Sequence, residues 1–219
     1  MSLDANSGIF TTLSFLGLSI ASLSIFISGL AFRGRFEEVY SPFNHFISEL
    51  GYVGLSRLAW VFNSGLILTG LCLLPASLSL GLWLPGTLAK ISMVLGVVYT
   101  LSVTFVGVFP MNRIKPHTIA AMTFFWSGLV YIFVVSLAIG LQPAGEVVLS
   151  RAYGLAGLPA VIAYGIFLYL ISMVERSADA ALSSDDIIRP RVWGLAVAEW
   201  MTFVTIVIWF VVVALGITA

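Results

Sequence analysis

Charge is what this chain has least of. Asp, Glu, Lys and Arg make up 9% of its 219 residues, against about 25% in soluble domains. The ten basic residues balance the ten acidic ones, so no basic surface points to nucleic acid. There is a single cysteine, Cys72, inside an apolar run. That excludes a disulfide framework and any multi-cysteine metal site, and leaves packing as the expected role of Cys72. No H-E-x-x-H zinc-protease motif and no G-x-S-x-G nucleophile elbow occurs. The longest polar stretch, about 175–191, is too short for a soluble domain.

Hydrophobic residues fill the space, at 60%. A bilayer span needs about 20 mainly apolar residues. Six segments qualify: Ile9–Phe32, Leu58–Leu80, Leu88–Phe109, His117–Leu141, Ala152–Val174 and Val192–Gly216. The runs are continuous rather than alternating, which excludes a transmembrane barrel. Met1 to Gly8 carries no Lys or Arg, and the first run ends in charges with no small-residue cleavage site. It reads as a retained helix rather than a signal peptide. The expected fold is all-α: one domain, 1–219, made of six transmembrane helices. Gly65, Gly70, Gly128 and Gly165 are expected to let helices approach closely. Trp60, Trp83, Trp126 and Trp193 read as interface anchors or packing residues.

Orientation follows from the loop charges. Arg33, Arg35, Arg57, Arg113, Lys115, Arg176, Arg189 and Arg191 fall on one side; only Lys90 and Arg151 fall on the other, with both termini. This places the first side in the cytoplasm and both termini outside, in a multi-pass protein of a prokaryotic cell membrane. The run Ser183-Ser184-Asp185-Asp186 before Arg189-Pro190-Arg191 reads as a solvated loop.

Between the first two spans lies Ser41-Pro42-Phe43-Asn44-His45-Phe46-Ile47-Ser48-Glu49-Leu50-Gly51. Ser41 suits a helix cap, Pro42 a first turn and Gly51 the position past the end. Phe43, Phe46, Ile47 and Leu50 have the spacing of one helix face; His45, Ser48 and Glu49 have that of another. The expectation is a short amphipathic interfacial helix. One of only two histidines stands here, one turn from a carboxylate. The other, His117, opens the fourth span after Asn112, Arg113 and Lys115, with Pro116 just before it. Asn63 in the second span and Glu199 in the sixth lie at similar depth from the same side. An ionisable group there costs about 2–3 kcal/mol and is expected to face the bundle with a partner. Packing is expected to bring His45, Ser48, Glu49, Asn63, Asn112, His117 and Glu199 into one interfacial pocket, lined by Tyr40, Phe46, Phe109 and Trp200.

Three readings of that pocket compete. In the structural one, the polar groups pin the short helix and His117 caps a loop or helix end. In the second, the pocket takes a membrane-lipid headgroup, with Arg113 and Lys115 on its phosphate. In the third, His45, Glu49, His117 and Glu199 hold a metal such as zinc, or a His–Glu pair activates Ser48 or water, giving a lipid hydrolase or acyltransferase. Haem between the two histidines fits poorly, because both lie at an interface. No pair of broken helices supports transport. An accessory subunit packed in a larger membrane complex, or a homo-oligomer, is the non-ligand alternative. No cofactor is named by the residues themselves.

The run Phe46-Ile47-Ser48-Glu49-Leu50-Gly51, the Asn in the second span, Gly107-Val108-Phe109-Pro110 and His117 resemble bacterial and archaeal membrane proteins grouped as domain of unknown function 998. They are more distantly similar to the eukaryotic Frag/DRAM/Sfk proteins, in which a Tyr-Ile-Ser-Asp-x-Gly run follows the first span and a His begins the fourth. The first resemblance implies a six-span layout and no chemistry. The second implies membrane-lipid handling and matches Ser48, Glu49, Gly51 and His117, with Glu49 in place of Asp. It gives Glu199 no counterpart. It also implies a motif loop facing outward, against the charge count, to which Arg33 and Arg35 contribute just before Glu37 and Glu38. A Ser183→Cys variant decides between them: the charge count expects no reaction with a membrane-impermeant maleimide in intact cells, and labelling overturns it.

Overall fold

In a computed structural model, which describes residues 5–176 and 190–218, six long helices follow one another: α1 (Ala5–Ala31), α2 (Ala59–Trp83), α3 (Thr87–Val108), α4 (Ile114–Gly140), α5 (Leu158–Arg176) and α6 (Gly194–Thr218). No strand occurs among these residues, and all six helices are long and apolar enough to cross a membrane. The chain is a multi-pass integral membrane protein. The Ser183-Ser184-Asp185-Asp186 run, Arg189 and the side chain of Arg176 lie outside the described residues.

Helices in lipid form because every backbone polar group must be satisfied internally. What orders them here is sequence proximity. Each helix packs on its chain neighbour, and α6 returns to α1. The result is a ring in chain order, with Tyr131, Trp209, Phe210, Val213 and Ala214 fully buried where α4 and α6 face inward. Hydrogen bonds between helices reinforce the contacts. Thr69 Oγ1 donates to the Gly17 carbonyl at 3.1 Å, and Ser28 Oγ to the Leu58 carbonyl at 3.2 Å.

Helix starts shift from the sequence expectation, α1 to Ala5 among them, and two of the shifts bear on the links. α4 begins at Ile114, not His117. Pro116 therefore sits in its first turn, where a missing N–H costs no hydrogen bond. The fifth span opens as a 3-10 helix, Arg151–Gly157, before α5 begins at Leu158. Gly154 and Gly157 lie so close to α4 there that a Cβ on Gly154 would stand 2.7 Å from the Ser136 carbonyl.

The largest departure is the stretch between α1 and α2. It is not one amphipathic helix. Residues 42–45 form a turn, closed by the His45 N–H on the Ser41 carbonyl at 2.9 Å. Phe46 is extended (φ −69°, ψ 150°), and a five-residue 3-10 helix, Ile47–Gly51, follows. Nor does it show a polar face to water. His45, Glu49, Ile47 and Leu50 are all buried, and only Phe43 of the expected apolar face is exposed. The segment is a plug set into the ring, touching α1, α2 and α6.

Small residues matter unevenly. A Cβ on Gly70 would stand 2.7 Å from the Thr100 carbonyl of α3, and one on Gly128 would meet the Tyr164 ring. One on Gly65 would meet Ser24, whereas Gly165 has nothing within 4 Å and separates no helices. Gly70→Ala is therefore expected to cost about 1–3 kcal/mol, because backbone must move. Gly165→Ala is expected to leave thermal unfolding unchanged. Melting curves of the two purified variants check this pair.

Candidate functional site

The break at Phe46 frees two consecutive amides, and two carboxylates take them. Phe46 N–H donates to Glu49 Oε1 at 2.8 Å, the reach-back of a Glu at the third helical position. Ile47 N–H donates to Glu199 Oε2 at 2.7 Å, across 152 residues of chain. At the other end of the plug, Asn63 Nδ2 donates to the Gly51 carbonyl at 3.0 Å. Gly51 has no room for a side chain: a Cβ would meet the Asn63 amide oxygen and stand 2.9 Å from the Phe62 ring. Close approach, not an unusual backbone angle, requires glycine here.

Aromatic rings hold the turn before the plug. The His45 ring lies 5.3 Å from both Phe32, edge-on, and Tyr40. Tyr40 OH donates to the Phe46 carbonyl at 3.0 Å and accepts from Trp200 Nε1 at 3.1 Å. Ser41 N–H donates to His45 Nδ1 at 3.3 Å, while Nε2 lies 3.9 Å from Glu38. From α6, Trp193 N–H donates to the Phe43 carbonyl at 2.7 Å, and its ring packs 4.7 Å from Phe46.

The seven polar groups do not form one pocket. Glu49, Asn63 and Glu199 converge on the plug's backbone, and Ser48 faces the 110–113 link, its hydroxyl 3.9 Å from Met111 Sδ. His117 goes elsewhere. Its Nδ1–H donates to the Phe109 carbonyl at 2.8 Å and closes the end of α3. Asn112, Arg113 and Lys115 are exposed. Among the described residues no three His, Cys, Asp or Glu side chains come together as a metal would need. His45, Glu49, His117 and Glu199 are thus not a ligand set, since His117 is committed to α3 and Glu199 to Ile47.

Under the plug lies what the sequence reading did not find. A cavity with about 120 Å³ open to the centre of a water-sized sphere runs between α1, α2, α3, α4 and α6. That is roughly ten times what one water needs. Its walls are apolar, with Leu73, Val103 and Phe124 among them, and Ile47, Ser48 and Glu199 close its plug end. On α6 the lining residues are Glu199, Thr202, Phe203 and Ile206. They stand at i, i+3, i+4 and i+7, so counting one helix face forward from the lone charge would have found them.

A family model described as "Protein of unknown function (DUF998)" matches residues 19–216. The chain belongs to the DUF998 family. The match takes in the plug, the second half of α1, all of α2 to α5, nearly all of α6 and every cavity-lining residue but Leu18, so these features lie within the family's own span. No curated protein and no solved structure matches this DUF998 chain.

The carboxylate–amide bonds make a direct prediction. Glu199→Leu leaves the Ile47 amide buried without an acceptor, at a cost of about 1–3 kcal/mol. Asn63→Leu does the same to the Gly51 carbonyl. Both are expected to lower the melting temperature clearly, and Asn112→Ala and Lys115→Ala, which alter exposed side chains, are not. Differential scanning fluorimetry of the four variants is the check.

Proposed function

We propose that this DUF998 protein binds a membrane lipid, taking an apolar chain of the lipid into the cavity beneath the plug. The observation that carries the reading is the cavity itself. It is walled by five membrane-spanning helices, mostly apolar, and its one ionisable carboxyl group, Glu199, lies at the plug end beside Ser48. Sites for small ligands have this character: apolar walls with a few placed polar groups that fix orientation. Water gains little in such a space, whereas a hydrocarbon chain from the surrounding bilayer fills it at no desolvation cost. The similarity of the Ser48-Glu49-x-Gly51 and His117 pattern to the Frag/DRAM/Sfk proteins supports the same reading.

This differs from a headgroup pocket on His45, Glu49 and His117. Those residues hold the plug and the end of α3, and so position the cavity's roof. The hydrolase alternative draws no support from the geometry. Ser48 Oγ is within hydrogen-bonding reach of Met111 Sδ, and His45 Nδ1 accepts from the Ser41 amide, so these two do not stand against each other as nucleophile and base. By the charge count, the plug end of the cavity faces the cytoplasm.

Native mass spectrometry of the detergent-purified protein tests the proposal. The wild type is expected to carry a bound lipid. Ala121→Phe, which adds a ring to the cavity wall on α4, is expected to lose that adduct while still unfolding cooperatively. A wild type free of lipid, or an Ala121→Phe protein that retains it, overturns the reading.

A further inference from the structure

The cavity's charge pattern narrows the ligand, and this step rests on the lipid-binding reading above. No Lys, Arg or His lines the cavity among the described residues. Its polar lining groups are Ser48, Thr69, Tyr99, Glu199 and Thr202. Thr69 shares its hydroxyl proton between the Gly65 and Gly17 carbonyls, at 2.7 Å and 3.1 Å, and Thr202 gives its own to the Ala198 carbonyl at 2.9 Å. Tyr99 sits well along α3, stacked between the Phe124 and Tyr131 rings. At the plug end this leaves Glu199 and Ser48. Glu199 already accepts from the Ile47 and Ser48 amides, but the two oxygens of a carboxyl group carry more lone pairs than that, so acceptor capacity remains. Ser48 offers an oxygen whose contact with Met111, at 3.9 Å, is a weak one.

Such an end accepts hydrogen bonds and carries acidic, not basic, chemistry. It offers no cation to a phosphate or a fatty-acid carboxylate, and an unpaired anion is costly to bury. The nearest basic loop residues, Arg113 and Lys115, are exposed on the link after α3 and do not reach the cavity. We infer that the cavity's ligand is a long-chain lipid whose polar end is a hydrogen-bond donor, a hydroxyl or a primary amine, held by the Glu199 carboxyl and Ser48. The donor completes the Glu199 coordination begun by the Ile47 amide, so the ligand would also fasten the plug to α6.

The test uses the full-length protein in detergent and three probes of equal chain length: hexadecanol, hexadecylamine and hexadecyl phosphate. Binding is read by thermal shift and by displacement of co-purified lipid. The alcohol or the amine is expected to bind about ten-fold more tightly than the phosphate, the worth of one hydrogen bond. Glu199→Gln, which keeps an oxygen for the Ile47 amide, is expected to bring the three probes within about two-fold of one another. Should that variant fail to fold, Ser48→Ala is expected to narrow the preference in the same direction. Equal binding of all three to the wild type, or a preference for the phosphate, overturns the headgroup assignment and leaves chain binding standing. Failure of every probe to bind overturns chain binding itself.

Discussion

The bond from the Ile47 amide to Glu199 is the constraint on which the rest of the site depends. A chain that breaks its helix beside a bilayer must find acceptors for the amides it frees, because no water is at hand to supply them. Here the acceptor comes from a helix 152 residues away. The bond therefore does more than satisfy one donor: it ties the segment between α1 and α2 to the last helix and so closes one end of the ring. Glu49 and Asn63 do the same work on the neighbouring amide and on the Gly51 carbonyl. An ionisable side chain within a span is costly, and in this chain the cost is met by backbone donors rather than by a counter-charge.

A closed end has a consequence below it. With the ring built in chain order and the plug seated on α1, α2 and α6, the side chains of five helices stop short of one another and leave the cavity. The plug's own residues divide between the two tasks. Leu50 is packed with Ile25, Phe32 and Phe62, and anchors. Ile47 and Ser48 form the roof. Glu199 belongs to both, as acceptor for the plug and as the carboxyl group facing the empty space. Binding and the position of the plug are thus coupled through one side chain.

How much was legible beforehand can be followed residue by residue. The six spans were plain from continuous apolar runs, and so was the importance of Glu199, since a lone carboxylate among apolar residues needs a partner. Asn63 was set at the same depth, and it and Glu49 both bond to the plug's backbone. The partner was misread. A shared pocket was the expectation, whereas the carboxylates and the amide meet backbone. Nothing in the letters announces that Phe46 is extended, because Ser41, Pro42 and the apolar spacing all suit a helix. His117 likewise meets backbone, the Phe109 carbonyl at the end of α3.

Composition and hydropathy by themselves determined the class of this protein, the number of its spans and their order. These are one-dimensional properties, set by the cost of placing polar groups in hydrocarbon. Short links made neighbours of α2, α3 and α4. What only the tertiary structure decided was where the plug's amides find their acceptors, which polar groups stay apart and that a cavity lies between the helices. Those depend on side-chain volumes and helix faces meeting in three dimensions. A cavity is the place where packing falls short, and no single residue encodes it.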